Sequence, residues 1–227
     1  MLVGLDKMSL LDYEDKISCV LFYKACNFRC PFCHNGLTVL EANTSIDFNE
    51  ALSYLKTRVG LIDAVVFTGG EPTLEPELKN HIKQVKELGF LVKLDTNGTN
   101  PEILKDLIES KLIDYVAMDI KNNLKKYPLT TGVNNINETK LLESIHIIMN
   151  SGVSYEFRTT LVNEFHSLED MEEMGQLIKG AEHLYLQKFV ERDGCIKKGL
   201  HEVSEDLANK FKDILSKYVK CVELRGY

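Results

Sequence analysis

The chain has no tryptophan, only five prolines among its 227 residues, and no apolar run long enough to span a bilayer. Residues 1–16 mix four acidic side chains with short apolar pieces and lack the continuous apolar core of a secretory signal. We therefore expect a cytoplasmic protein with no membrane partner. Thiols stay reduced in that compartment, so clustered cysteines are expected to be ligands rather than disulfide partners.

Basic residues are outnumbered by acidic ones: 27 Lys and Arg against 34 Asp and Glu give a net charge of −7. A nucleic-acid surface needs a basic face that neutralises phosphates, so no nucleic-acid partner is expected. The length allows one domain with a large core, and no linker or low-complexity tract interrupts it. We predict that residues 1–227 form a single domain.

Short runs rich in valine, leucine and aromatic residues alternate with amphipathic segments along the chain, as expected for strands buried in a parallel sheet. The predicted strands are 17–22, 64–68, 91–94, 115–118, 154–159 and 183–187, with a seventh at 221–224. The predicted helices are 48–58, 76–88, 102–110, 139–150, 168–179 and 204–219. Residues 122–137 form the most loop-like stretch. Six βα repeats are too few for an eight-stranded barrel, so the prediction is an α/β fold, a partial (β/α)6 TIM-like barrel with parallel strands.

Three of the six cysteines lie close together in the spacing C-x3-C-x2-C, at Cys26, Cys30 and Cys33. Three thiolates can hold three irons of a [4Fe–4S] cluster and leave the fourth iron open to an exogenous ligand. The spacing therefore predicts a cluster that binds a further molecule. The remaining cysteines are isolated in the sequence and are interpreted as ordinary thiols.

Further motifs follow the later strands, at the edge where parallel α/β folds bind their ligands. In chain order they are Gly69-Gly70-Glu71-Pro72, Asp95-Thr96-Asn97-Gly98, Asp119-x-Lys121, Arg158 and Gln187-Lys188-Phe189. We expect these segments to meet the cysteines in one site.

The order Cys26-x3-Cys30-x2-Cys33 and then Gly69-Gly70-Glu71-Pro72 resembles the radical S-adenosylmethionine superfamily, and the match extends over nearly the whole chain. The strand-end residues resemble its glycyl-radical-enzyme activating branch. The run 26–35 is most similar to activating proteins of anaerobic ribonucleoside-triphosphate reductase, with activators of pyruvate formate-lyase as near relatives.

The resemblance implies that the three cysteines ligate the cluster, while the amine and carboxylate of the methionyl group chelate the open iron. It implies that Phe32 packs near the adenine and that Gly69 and Gly70 approach the cofactor closely, as residues without Cβ allow. Glu71 would lie near the methionyl amine.

For the later strands, the resemblance places Thr96 and Asn97 on the ribose side and lets Gln187 to Phe189 close over the adenine. Lys121 and Arg158 would offer positive charge to the carboxylate or the sulfonium. In pyruvate formate-lyase activators the counterparts of Asp95, Thr96 and Asp119 bind a monovalent cation, for which hard oxygen ligands are suited. An equal alternative is that both aspartates pair with Lys121 or cap helices.

The implied reaction is one-electron cleavage of S-adenosylmethionine, followed by abstraction of a glycine Cα hydrogen from a glycyl radical enzyme as protein substrate. The chain has no ferredoxin-like insertion with further cysteine groups, so a flavodoxin or ferredoxin would supply the electron. The barrel residues would orient the reactants and exclude water.

Two alternatives remain at this stage. A small radical enzyme of this build could act on a pyruvate formate-lyase type enzyme or on a small molecule such as a deazapurine precursor. A non-catalytic zinc module could use Cys26, Cys30, Cys33 and His34, although His34 adjoins Cys33 and both would struggle to face one tetrahedral ion.

Overall fold

The computed structural model describes residues 1–36 and 44–227, and within these ranges no helix is both long and apolar enough to cross a membrane. Among these described residues, one sheet holds eight strands in sequence order, antiparallel between the first two and parallel thereafter. The strands are β1 (Leu2–Ser9), β2 (Ser18–Tyr23), β3 (Ala64–Gly69), β4 (Leu91–Thr96), β5 (Tyr115–Asp119), β6 (Ser154–Leu161), β7 (His183–Lys188) and β8 (Cys221–Arg225).

Helices follow the parallel strands as the alternation predicts. The described helices are α1 (Phe48–Lys56), α2 (Leu78–Glu87), α3 (Pro101–Glu109), α4 (Tyr127–Thr131), α5 (Glu138–Asn150), α6 (Leu168–Leu177) and α7 (Glu205–Leu215). Local signals set their starts: the Asp47 side chain accepts the Asn49 N–H at α1, and Ser167 with Asp170 forms a capping box at α6.

The predicted α/β class with a parallel, partial barrel is confirmed, and the seventh strand is present as β8. The strand β1 was not predicted. Its central residues are exposed or half-exposed, because β1 lies at the edge of the sheet and pairs through its backbone with β2. An edge strand of this kind lacks the continuous apolar run that marks the buried strands.

The two faces of the sheet have different chemistry. One face packs on the helices in the main core, with Leu21, Phe67 and Leu94 fully buried there. The other face has a small apolar cluster near the strand starts, where Tyr13 packs on Tyr115 with ring centroids 5.4 Å apart. Towards the strand ends this second face becomes polar, and the cavity described below opens there.

The loop-like stretch 122–137 contains the short helix α4 and a buried polar network. The Asn122 amide donates to the Phe165 carbonyl at 2.9 Å, and the Asn123 amide donates to Asp170 at 2.9 Å. Gly132 ends α4 with φ 68°, and a Cβ there would lie 2.4 Å from the carbonyl oxygen of Arg29. This stretch therefore supports the cysteine loop from one side.

Candidate functional site

A cavity of about 470 Å³ opens at the carboxyl ends of β2 to β7. Its size is within the range of small-molecule sites. Of the cluster, cofactor and cation residues predicted from the sequence, all line it except Glu71, Lys188 and Phe189. The expectation that the strand-end motifs meet the cysteines in one place is therefore met by the geometry.

The cysteine loop, residues 26–33, leaves β2 and forms one wall of the cavity. Cys30 is buried, while Cys26 and Cys33 are partly buried. The Phe28 N–H donates to Cys26 Sγ at 3.3 Å. Burial raises the pKa of Cys26 to about 11 and that of Cys30 to about 12, partly offset at Cys30 by the Lys121 ammonium. Binding a metal cluster must therefore release protons from these thiols.

The donor set fits a multi-iron cluster better than a single ion. Within residues 1–36 and 44–227, no three His, Cys, Asp or Glu side chains come close enough to hold one metal ion. His34 turns its Nε2 to the Val190 carbonyl at 2.8 Å, and its ring stacks on Phe189. This arrangement does not support the zinc alternative, which needs three cysteines and His34 around one ion. Three thiols that each bind a different iron do not need to converge on one point.

A network of four charged groups lies at the ends of β4, β5 and β6. Lys121 Nζ is 2.8 Å from Asp119 Oδ2, and Arg158 bridges the two aspartates, with Nε 3.0 Å from Asp119 Oδ1 and Nη1 3.3 Å from Asp95 Oδ2. Burial alone would raise the pKa of Asp119, but the two cations lower it to about 2. The same pairing raises the pKa of Lys121 and of Arg158, so Asp119, Lys121 and Arg158 are charged at neutral pH.

This network bears on the proposed cation site. Asp119 pairs with Lys121, as the alternative from the sequence anticipated, and both aspartates also pair with Arg158. Asp95 Oδ1 is buried and has no hydrogen-bond partner among the described residues. Binding of a monovalent cation by Asp95, Thr96 and Asp119 stays a prediction. An ion bound at the unpartnered oxygen would satisfy a buried acceptor and would therefore be stabilised most there.

Glu71 lies behind the cavity wall with 1% of its surface exposed. One carboxylate oxygen accepts hydrogen bonds from the backbone N–H and hydroxyl of Thr73 and from the Thr96 hydroxyl, and the other accepts the Asn97 N–H at 2.6 Å. In this structure the carboxylate joins the loops after β3 and β4, and its contact with a methionyl amine stays a prediction.

Gly69 is required by the backbone beside it. Its φ is 116°, and a Cβ would lie 2.4 Å from the N and O atoms of Tyr23 on β2. The Gly70 N–H donates to the Tyr23 carbonyl at 2.9 Å. Both glycines line the cavity. Glycine is thus required at position 69 because the backbone of β3 approaches the backbone of β2 closely there. This approach alone explains the residue type.

The loop after β4 is tied to the cysteine loop. Asn97 was predicted on the ribose side, and it does line the cavity. Its amide nitrogen donates to Asn27 Oδ1 at 2.8 Å and approaches Cys26 Sγ at 3.9 Å, while its oxygen accepts the N–H and hydroxyl of Thr99. Asn27 and Thr99 were not singled out from the sequence. The sequence alone contains no pattern that predicts contact between residues 70 positions apart.

The segment after β7 covers the other side of the cysteine loop. Gln187 lines the cavity as predicted, but Phe189 is buried behind His34, with ring centroids 5.7 Å apart. Further along, the Lys197 N–H donates to the Pro31 carbonyl at 2.8 Å. A Cβ on Gly194 would lie 2.3 Å from the His34 carbonyl oxygen. We call residues 189–197 the clasp.

Several polar residues of the cavity were missed by sequence reasoning. Asp12 reaches it from the turn after β1, where Ser9 Oγ donates to its carboxylate at 2.5 Å. Thr160 and Arg192 line it from β6 and the clasp. Thr160 and Arg192 could have been found, since both follow the same rule of position near a strand end. Asp12 could not, because β1 itself was not predicted.

Comparison with known proteins identifies a family match. The sequence family described as the Radical SAM superfamily matches residues 20–178. A candidate glycyl-radical enzyme activating enzyme of Methanocaldococcus jannaschii is 35% identical over 98% of this chain and 94% of its own. The pyruvate formate-lyase-activating enzyme of Clostridium pasteurianum is 28% identical over 78% of this chain and 75% of its own.

Two further similarities extend the comparison. The 7-carboxy-7-deazaguanine synthase of Thermococcus kodakarensis is 31% identical over 59% of this chain and 51% of its own. Streptococcus suis SuiB bound to S-adenosylmethionine has a TM-score of 0.68, covering 91% of this chain and 52% of SuiB at 16% identity. At that identity the second similarity shows the fold alone.

Proposed function

Because this chain belongs to the radical SAM superfamily, we propose that it activates a glycyl radical enzyme, with anaerobic ribonucleoside-triphosphate reductase as its protein substrate. As in that superfamily, it is an enzyme that uses a [4Fe–4S] cluster and S-adenosylmethionine. One observation carries the proposal: Cys26, Cys30 and Cys33 share a single cavity with the polar ends of five further strands. The similarity to the Methanocaldococcus protein supports the activating role.

When bound, the two cofactors supply one-electron cleavage of a carbon–sulfur bond and hence the hydrogen abstraction that leaves a radical on a partner glycine. The chain's own residues provide ligation, charge and shelter from water. The three thiolates would hold the cluster. Phe32, 4% exposed, presents its ring to the cavity, with Lys121 Nζ 5.9 Å from the ring centroid.

The charged network would position the methionyl group. Lys121 and Arg158 carry two positive charges against the two negative charges of Asp95 and Asp119, so the four together are neutral. A methionyl carboxylate entering this site would find its cations already paired. We therefore keep a monovalent cation at Asp95, Thr96 and Asp119 in the proposal, since one added positive charge beside the unpartnered Asp95 Oδ1 would offset the incoming carboxylate.

The electron donor we propose is a flavodoxin or ferredoxin, and the location we propose is the cytoplasm. Cys19 lies on β2 and Cys221 lies on β8, so neither is part of the cysteine loop. Neither belongs to a second cysteine group that could pass electrons inward.

The deciding experiment is anaerobic. The protein is reconstituted with iron and sulfide, reduced, mixed with S-adenosylmethionine and an anaerobic ribonucleotide reductase, and assayed for 5′-deoxyadenosine and for a glycyl radical by EPR. We expect both products, and we expect neither from Cys30→Ala. Cys221→Ala, a thiol outside the cavity, should behave as wild type. Absence of 5′-deoxyadenosine from the reconstituted wild type would overturn the proposal.

Two related substrates have specific support. The Clostridium similarity supports an enzyme of the pyruvate formate-lyase type. The Thermococcus similarity, with the Arg192 side chain among the residues that line the cavity, supports a small polar molecule such as a deazapurine precursor. A glycyl radical on pyruvate formate-lyase but not on the reductase would select the first. Turnover of a deazapurine precursor without any protein partner would select the second.

A further inference from the structure

Three side chains close a ring of hydrogen bonds between the cysteine loop and the loop after β4. The Asn27 amide nitrogen donates to Thr99 Oγ1 at 2.8 Å, Thr99 Oγ1 donates to Asn97 Oδ1 at 2.7 Å, and the Asn97 amide nitrogen donates to Asn27 Oδ1 at 2.8 Å. Each group in the ring both donates and accepts, so the three bonds reinforce one another.

The ring fixes which way the Asn97 amide points. Its oxygen also accepts the Thr99 backbone N–H at 3.0 Å, so the oxygen cannot exchange places with the nitrogen without losing two bonds. Of the two N–H groups on the nitrogen, one is used by Asn27. The other is directed at Cys26 Sγ, 3.9 Å away. Asn97 is 6% exposed, so water does not compete freely for this contact.

Cys26 thus receives two donors, the Phe28 N–H at 3.3 Å and the Asn97 amide. Hydrogen bonds to cysteine sulfur are among the factors that set the reduction potential of an iron–sulfur cluster. A donor facing the sulfur stabilises the more negative, reduced form and so makes reduction easier.

We propose that Asn97 is a positioning residue that raises the potential of the cluster through its N–H contact with Cys26, and that Asn27 and Thr99 hold it in that orientation. The inference rests on the proposed function only in taking Cys26 as a cluster ligand. It assigns Asn97 a task separate from contact with the ribose.

The test is a reductive titration followed by EPR on reconstituted protein, without S-adenosylmethionine and without a partner enzyme. Asn97→Leu removes the donor without adding charge, and Asn97→Asp replaces it with a negative oxygen. We expect midpoint potentials in the order wild type, then Asn97→Leu, then Asn97→Asp as the most negative. At a fixed ambient potential near the wild-type midpoint, the reduced fraction should fall several-fold in both variants.

The matched control is Asn100→Leu, in the same loop. The Asn100 amide donates to Thr73 Oγ1 at 2.8 Å and is not among the contacts of the cysteine loop. The midpoint potential of the cluster in Asn100→Leu should equal that of the wild type. Equal potentials in all four proteins would overturn the inference, as would a shift in Asn100→Leu as large as in Asn97→Leu.

Thr99→Val guards against loss of the cluster in the Asn97 variants. It removes the hydroxyl that orients the amide but leaves the Asn97 donor in place, so we expect a smaller shift in the same direction. An unchanged potential in Thr99→Val, with Asn97→Leu unable to hold a cluster, would also overturn the inference. Failure of the wild type to activate a glycyl radical enzyme would refute the proposed function without altering these potentials.

Discussion

The Glu71 carboxylate accepts the backbone N–H of Asn97 at 2.6 Å and joins two loops that are 26 positions apart in the sequence. Glu71 belongs to the motif after β3, and Asn97 to the motif after β4. The same carboxylate accepts the hydroxyls of Thr73 and Thr96. The buried Glu71 carboxylate therefore sets the relative position of two cavity walls. Its main role in the site is to hold this structure.

Replacing Glu71 with Gln should destabilise the fold. The amide nitrogen would face at least one of the donors that the carboxylate now accepts, and an unsatisfied buried polar group costs about 1–3 kcal/mol. Chemical denaturation followed by circular dichroism measures the loss. Glu77→Gln changes an exposed acid of the following turn and should leave the free energy of unfolding unchanged. Equal stability of wild type and Glu71→Gln would mean that these four bonds contribute little.

The lowered pKa of Asp119 predicts a pH dependence of stability. Its pKa in the fold is about 2 against 3.8 for the free side chain. The stabilisation is therefore full above pH 4 to 5 and is lost as the pH falls towards 2; at neutral pH it is about 2 kcal/mol. Asp119→Asn should remove it and flatten the acid limb of the stability curve. Asp106→Asn, which breaks an exposed pair with Lys79, should leave that limb in place.

Much of the fold could be read from the sequence because its strands are buried. The apolar runs at β2 to β8 mark the sheet, and the rule that parallel strands carry ligands at their carboxyl ends led from these runs to the cavity residues. The strand β1 was missed since edge pairing depends on backbone groups that every residue has. The residues that β1 brings to the site, such as Asp12, were missed with it.

The chemistry of individual site residues was harder to predict than their location. Because Glu71 and Asn97 follow the ends of predicted strands, the sequence predicts that they lie near the cysteines. It does not predict which hydrogen-bond partners their side chains take. Those partners, Thr73 and Thr96 for Glu71 and Asn27 and Thr99 for Asn97, depend on how two loops approach in space. The spacing of residues in one chain holds no record of that approach.

The clasp predicts a cluster-retention phenotype. Ala at position 194 would place a Cβ 2.3 Å from the His34 carbonyl oxygen, so the clasp must move off the cysteine loop. Overpacking of this kind costs about 1–3 kcal/mol, here confined to the contact. We expect Gly194→Ala to keep less iron than wild type after anaerobic gel filtration and to lose it faster in air.

Gly199→Ala is the matched control for the clasp. Gly199 lies just beyond the clasp, and a Cβ there would meet nothing within 4 Å, although its φ of 75° adds some backbone strain. Its iron content should stay close to that of the wild type. If both variants lose iron equally, general loosening of this segment explains the result. If neither does, the clasp has no part in holding the cluster.

The unpartnered Asp95 Oδ1 predicts that cofactor affinity depends on a monovalent cation. Potassium or sodium at this oxygen would add the positive charge that the neutral set of Asp95, Asp119, Lys121 and Arg158 lacks, and so would favour the methionyl carboxylate. We expect the Kd of S-adenosylmethionine to fall several-fold when potassium replaces a bulky organic cation at constant ionic strength. Asp95→Asn should abolish this dependence. Asp63→Asn, whose carboxylate lies at the opposite ends of the strands and accepts the Ile17 N–H, should keep it. If the Kd of S-adenosylmethionine for the wild type does not change with the cation, the role of Asp95 is only to pair with Arg158.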